Sequence, residues 1–197
     1  MKDETNSPEF KSKFVRAKHL TPMTTYIGWN EERPFFKDPE VRRAMTMLID
    51  RARILHEIHH DLGLEVTGPN FIYGPGYDHS IAPLPYDPKE AKKLLRKAGW
   101  LDHDGDGVID KAGVKFEFEY LIHNAKDYHQ KIADIVKESI EQAGIKVNIR
   151  KIDWQVFSDQ VRDHKFDAVR YAVGEPDPLD PDPFQFWHSS QAQDRGD

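Results

Sequence analysis

Residues 114–149 read VKFEFEYLIHNAKDYHQKIADIVKESIEQAGIKVNI. The hydropathy period changes twice along this stretch. Val114, Phe116, Phe118 and Tyr120 alternate with Lys115, Glu117 and Glu119, the two-residue period of a half-buried strand. From about 127 to 143, Ile132, Ile135, Val136 and Ile140 recur at helical spacing, and Gly144 stops the helix. Ile145, Val147 and Ile149 then alternate again. A short helix over about 154–163 leads to a third strand over 166–173. This β-α-β-α-β order predicts parallel neighbours joined by right-handed crossovers, and so an α/β fold with flanking helices.

Upstream, TTYIGWN at 24–30 is rich in β-formers and reads as a strand. Asp38-Pro39 pairs a helix cap with proline at the first helical position. Val41, Ala44, Met45, Leu48, Ile49, Ala52, Leu55 and Ile58 follow at helical spacing, predicting one helix that runs to about residue 60 and stops before Gly63. Residues 64–86 carry glycine, proline and aromatics without a period, the mark of a long functional or surface-laid loop. Asp87-Pro88 opens a second helix, with Ala91, Leu94, Leu95 and Ala98 as its apolar face and Gly99 as its end. Residues 1–23 are polar and unpatterned and read as a linker or arm. The remainder, 24–197, reads as one α/β lobe with both ends cut from a larger protein.

Composition narrows the function. A chain of 197 residues suits one sizeable core. Its formal charge of -6 argues against a nucleic-acid partner, which needs a basic stripe. Lys92, Lys93, Arg96 and Lys97 read as the solvated face of one helix. The absence of cysteine excludes disulfides, thiol catalysis and thiolate metal sites. No apolar run is long enough to cross a bilayer.

Three constellations carry possible chemistry. His56-Glu57-Ile58-His59-His60 satisfies H-E-x-x-H, in which two histidines one helical turn apart bind zinc and the glutamate acts as base. The extended pattern needs a third histidine where this chain has Val66, so a zinc hydrolase stands only as the alternative function. Asp102, Asp104, Asp106 and Asp110 occupy positions 1, 3, 5 and 9 of a loop resembling that of an EF-hand, but position 12 is Gly113 instead of glutamate. That loop is the one place for a cofactor, a weakly held Ca²⁺; the alternative is a plain Asp/Gly turn. Finally, Glu175-Pro176-Asp177-Pro178-Leu179-Asp180-Pro181-Asp182-Pro183 is a rigid acidic segment following the carboxyl end of a strand, where ligands bind in open α/β sheets. A carboxylate fixed there suits a ligand ammonium.

Six segments in order resemble the oligopeptide/dipeptide substrate-binding proteins of ABC importers, bacterial solute-binding family 5. They are YIGWN at 26–30, FKDPEVRRAMTMLIDRARIL at 36–55, and YDPKEAKKLLRKAGW at 86–100 with its continuation DHDGDGVIDKAG. AGIKVNI, FDAVRYAV and DPDPFQFWHSSQ follow. The resemblance implies a periplasmic-binding-protein type II-like lobe with a mixed sheet, part of a hinged two-lobed clamp. It implies non-catalytic capture of a peptide or other small solute by a monomer, and delivery to an ABC permease. The location would be periplasmic, or extracytoplasmic and membrane-anchored. In that family an aspartate shortly after the strand matching 166–173 anchors the peptide's ammonium. Glu175 and Asp177 flank this position, and Asp180, Asn30 and Tyr171 complete the expected ligand-binding set.

Overall fold

The computed structural model describes residues 4–15, 17–174 and 184–191. In chain order its elements are α1 (Pro8–Lys13), β1 (Met23–Trp29), α2 (Pro39–Met47), α3 (Arg51–Glu57), α4 (Pro88–Lys97), β2 (Asp110–Lys111), β3 (Val114–Lys115), β4 (Glu117–His123), α5 (Asp127–Glu141), β5 (Lys146–Ile152), α6 (Trp154–Arg162), β6 (Ala168–Gly174) and α7 (Phe184–Trp187). Four strands form one sheet in the order β1-β6-β4-β5, while β2 and β3 make a separate hairpin. β4 is parallel to both β5 and β6, and β1 closes the edge antiparallel to β6. The mixed α/β sheet expected from the sequence is therefore present, with one refinement. After β5 the chain crosses back over β4 to pair β6 with its other edge, so chain order reverses at β4.

That reversal places α5 and α6 on opposite faces, because right-handed crossovers run in opposite directions from β4 to β5 and from β5 to β6. Phe118, Tyr120 and Ile122 face the larger core with α2, α4 and α5, whereas Leu121 faces a small second core with Phe157 and Val169. β4 is thus buried on both sides. Its carboxyl half, Tyr120-Leu121-Ile122, reads as a continuous apolar run instead of an alternation, as expected of a central strand. An aromatic group sits under one end of the larger core: Phe116 lies 4.5 Å from Trp100 and 5.3 Å from Phe35 between ring centroids, and Phe36 lies 5.3 Å from Phe118.

The helix expected from 39 to about 60 is two helices. Leu48 and Ile49 remain buried, which preserves the apolar period, but α2 ends at Met47 and Asp50 starts a new helix by accepting from Arg53 N at 2.9 Å. A carboxylate that can cap a helix competes with continuing it, and periodicity alone does not register the break. Within 1–23, Ser7 caps the short helix α1, accepting from Phe10 N at 3.1 Å. Gly144, with φ +78°, turns the chain from α5 into β5. Its carbonyl accepts from Ile109 N at 2.8 Å, and a Cβ there would lie 3.1 Å from Gly107 O.

Truncating Phe118, 2% exposed at the junction of β4, Phe36 and Trp29, leaves a cavity. Phe118→Ala is expected to lower unfolding free energy by about 3–5 kcal/mol, read from urea unfolding followed by circular dichroism.

Candidate functional site

A cavity of about 700 Å³ opens on the larger-core side of β1 and β6. This is within the size range of small-ligand sites. Its floor is formed by Ile27, Tyr120 and Arg170, its sides by α3 and α5, and its outer wall by the segment 62–84. The unpatterned loop therefore has a definite task. Arg51 holds it in place: its guanidinium ion-pairs with Glu65, donates to Leu84 O, and donates to Thr46 O at 3.0 Å. The forked geometry of arginine lets one side chain join three chain segments. Further along, Thr24 Oγ1 donates to Pro69 O at 3.2 Å and Thr67 bonds Tyr77 Oη.

Arg170 dominates the chemistry of the floor. β6 alternates, so Arg170 faces the larger core while Val169 and Tyr171 face the smaller one. Arg170 is 5% exposed, yet among the described residues it has no carboxylate partner. Its Nη1 lies 2.8 Å from His129 Nδ1, its Cζ lies 5.7 Å from the Tyr128 ring centroid, and its Nε has no hydrogen-bond partner. Tyr120 Oη, also on the floor and fully buried, is likewise unpartnered. Buried polar groups are normally satisfied, and those that are not call for an explanation. Two orphaned groups on one cavity floor, one of them cationic, suit an anionic hydrogen-bond acceptor.

The groups behind Arg170 add no negative charge. A guanidinium only donates, so His129 Nδ1 is the acceptor and the ring is neutral. Burial first, then the charge of Arg170, pushes the His129 pKa down to about 4. The His123 ring lies tilted against that of His129, centroids 4.0 Å apart, and the His59 ring lies 6.2 Å from that of Tyr128. Both are shifted down for the same two reasons, burial and then Arg170. Burial pushes the hydroxyl of Tyr26 on β1 up to about 12 and raises that of Tyr120 well beyond its ordinary value.

Two of the residues named from sequence, Asn30 and Tyr171, fall elsewhere. Asn30 is 8% exposed and its amide is used within the fold: Nδ2 donates to His164 O at 3.1 Å and Phe166 O at 2.8 Å, and Oδ1 accepts from Glu32 N at 3.0 Å. It ties β1 to the entry of β6 and does not line the cavity. Tyr171 packs parallel to Phe157 on the opposite face of the sheet, centroids 6.2 Å apart, and also lies outside the lining. Glu175, Asp177 and Asp180 lie outside the described residues. Arg170, His129 and Tyr120 were not singled out, although one signal was present. In AVRYAV, the strand's period puts an arginine on the side that also carries Ala168.

The HEIHH segment does not form the expected helical pair. α3 ends at Glu57, and His60 sits at φ +53° beyond it, so His56 and His60 do not share a helix face. His56 is exposed and meets Asp61 at 3.2 Å. The acidic loop does converge: ligand oxygens of Asp102, Asp104 and Asp106 come within 4.8 Å of one another, the one such group of three among the described residues. Asp110 instead turns to His103, accepting from its N at 3.1 Å and meeting its Nδ1 at 3.0 Å. Lys115 places its ammonium between Asp104, at 2.9 Å, and Asp106. It pairs with two of the three converging carboxylates.

The chain matches the family model "Bacterial extracellular solute-binding proteins, family 5 Middle" over residues 3–195. It is 32% identical over 184 residues to the oligopeptide-binding protein AppA of Bacillus subtilis, covering 91% of this chain and 34% of that one. The structure of AppA in complex with a nonapeptide superposes with a TM-score of 0.77, covering 90% of this chain and 36% of that chain. NikZ of Campylobacter jejuni in complex with Ni(L-His) superposes with a TM-score of 0.76 at 26% identity, covering 90% and 34%. The mixed α/β fold is thus that of periplasmic-binding-protein type II-like structures. The chain belongs to bacterial solute-binding family 5, and it spans about a third of the length of these relatives.

Two outcomes follow from the geometry. His129 has a folded pKa below its unfolded value of 6.5, so the unfolded chain takes up the proton first and stability falls as pH drops from 6.5 through 4. Thermal melts across this window should show a loss of several degrees, roughly the effect of 1–2 kcal/mol, and His129→Gln should reduce it. In the acidic loop, a calcium ion must displace the Lys115 ammonium. Millimolar calcium should therefore raise the melting temperature of Lys115→Met more than that of the unaltered chain.

Proposed function

We propose that this chain is one lobe of a two-lobed clamp that captures a peptide outside the cytoplasm, without catalysis, and delivers it to an ABC importer permease. The observation that carries the reading is Arg170, a buried guanidinium with no carboxylate among the described residues, on the floor of a ligand-sized cavity. A peptide brings the matching charge as its terminal carboxylate or an acidic side chain. Tyr120 Oη supplies a second donor beside it. Charge-assisted bonds in a site shielded from water are the strong ones, and they orient the ligand as well as hold it. The acidic segment after β6, with Glu175, Asp177 and Asp180, supplies the opposite charge for the peptide's ammonium. Membership of family 5 supports the same reading, as does the nonapeptide that AppA holds. Closure of a second lobe over the cavity excludes water and presents the closed form to the permease.

Native mass spectrometry of the gently purified full-length protein tests this. Bound peptide masses are expected, and Arg170→Met should weaken their retention at least about tenfold, corresponding to a charged hydrogen bond of ~1.5–3 kcal/mol. Unchanged peptide retention in a folded Arg170→Met variant would remove the basis for the assignment. A bound zinc ion with no organic ligand would favour metal chemistry instead.

A further inference from the structure

The cluster around Arg170 is unusual in the sign of its charges. Every charged group acting on His129 is cationic. Arg170 faces it from β6, Lys151 acts from β5, and Lys126 precedes it on its own helix. From β4 come His123, in ring contact with it, and Tyr120, a neutral phenol coupled to Arg170. His59, beyond α3, meets the adjacent Tyr128 ring. The α6 contacts, Trp154 and Phe157 against His123, are uncharged. No carboxylate of the described residues enters the cluster, and the Glu65 carboxylate on the cavity wall is already paired with Arg51.

We propose that ligand capture at this site is coupled to proton uptake, with His129 as the proton acceptor. The inference rests on the anionic ligand group assigned to Arg170 above. In the structure the His129 Nδ1 lone pair is an acceptor for Arg170, at 2.8 Å. A ligand carboxylate reaching the guanidinium replaces that lone pair with a better, charged acceptor. Two changes then act on His129 together. Its lone pair is released from Arg170, and the anion offsets the cationic field that, after burial, holds the ring neutral. His129 takes a proton from solvent onto Nδ1 and becomes an imidazolium. The proton balance is closed by the buffer, and no bond other than N–H forms. His123, within stacking distance, and His59 feel the same anion and shift in the same direction.

Linkage makes the consequence measurable. If binding takes up protons, affinity must rise as pH falls through the window in which the bound form is protonated and the empty form is not. A peptide's terminal carboxylate stays ionised between pH 7 and 5 and its ammonium stays charged, so the ligand contributes no opposing change in this window. Restoring His129 toward the ordinary histidine value would make capture on the order of tenfold tighter at pH 5 than at pH 7.

The test is equilibrium dialysis of the full-length protein against a random pool of short free-carboxylate peptides, with bound peptide quantified by mass spectrometry at both pH values. His129→Gln is run alongside, because its amide oxygen still accepts from Arg170 but cannot titrate. A rise of about tenfold toward pH 5 in the unaltered protein, absent in His129→Gln, is the expected result. Equal binding at both pH values would overturn proton coupling while leaving peptide capture intact. A rise that persists in folded His129→Gln would remove His129 as the acceptor. No peptide retained at either pH would overturn the capture reading itself, and the inference with it. Should His129→Gln fail to fold, the imidazole resonances of the unaltered protein, titrated with and without the peptide pool, give the same answer. The His129 midpoint must move upward when peptide is bound.

Discussion

The burial of β4 on both faces is the constraint from which the remaining architecture follows. Phe118, Tyr120 and Ile122 need a layer on one side and Leu121 needs one on the other. α5 and the α2–α4 pair supply the first, and α6 with Phe157 supplies the second. A central strand so placed takes parallel neighbours on both edges, so the chain must leave β4 in one direction and return in the other. The return strand β6 then lies between β4 and the antiparallel β1, which brings Arg170 opposite Ile27 at the base of the cavity.

Placing an arginine on that buried face is costly unless its charge is met. The described residues meet it only in part, through a neutral imidazole and the side chain of Tyr128, which offers both a hydrogen bond and an aromatic face. Tyr120, fully buried with an idle hydroxyl, adds a second unmet donor nearby. An apolar pair of similar size would pack the same space at lower cost. The proposed capture of an anionic ligand group supplies the reason for the arrangement that stability does not. Arg170 also adds to the effect of burial in depressing the histidines around it, since a guanidinium held away from water acts at short range with little screening.

Family membership and local chemistry contribute at different levels. Family 5 supplies the setting, that of extracellular solute-binding proteins, and relatives of this chain hold ligands as different as a nonapeptide and Ni(L-His). Fold alone does not choose between such ligands. The choice rests on the cavity: an anionic acceptor fits Arg170 and Tyr120, and the loop clamped by Arg51 sets how much space it has.

The sequence by itself determined the α/β class, the helix starts at Asp38-Pro39 and Asp87-Pro88, the alternation of β5 and the family, because each depends on local period or cap chemistry. It also showed the acidic loop, whose Asp102, Asp104 and Asp106 do converge. Only the tertiary structure decided which strands are neighbours, since β6 pairs with β4 across a crossover that no local pattern encodes. The same holds for the break between α2 and α3, where both helices rest on one core and the apolar period passes through Leu48 and Ile49 unchanged. Asn30 looked available for a ligand until its amide was seen bound to His164 O and Phe166 O, 134 and 136 residues away in sequence. Arg170 looked like one charge in a strand until burial left it without a counter-ion among the described residues. A side chain's partners are set by which segments the fold brings within a few ångströms, and that information lies in long-range packing rather than in any window of the chain.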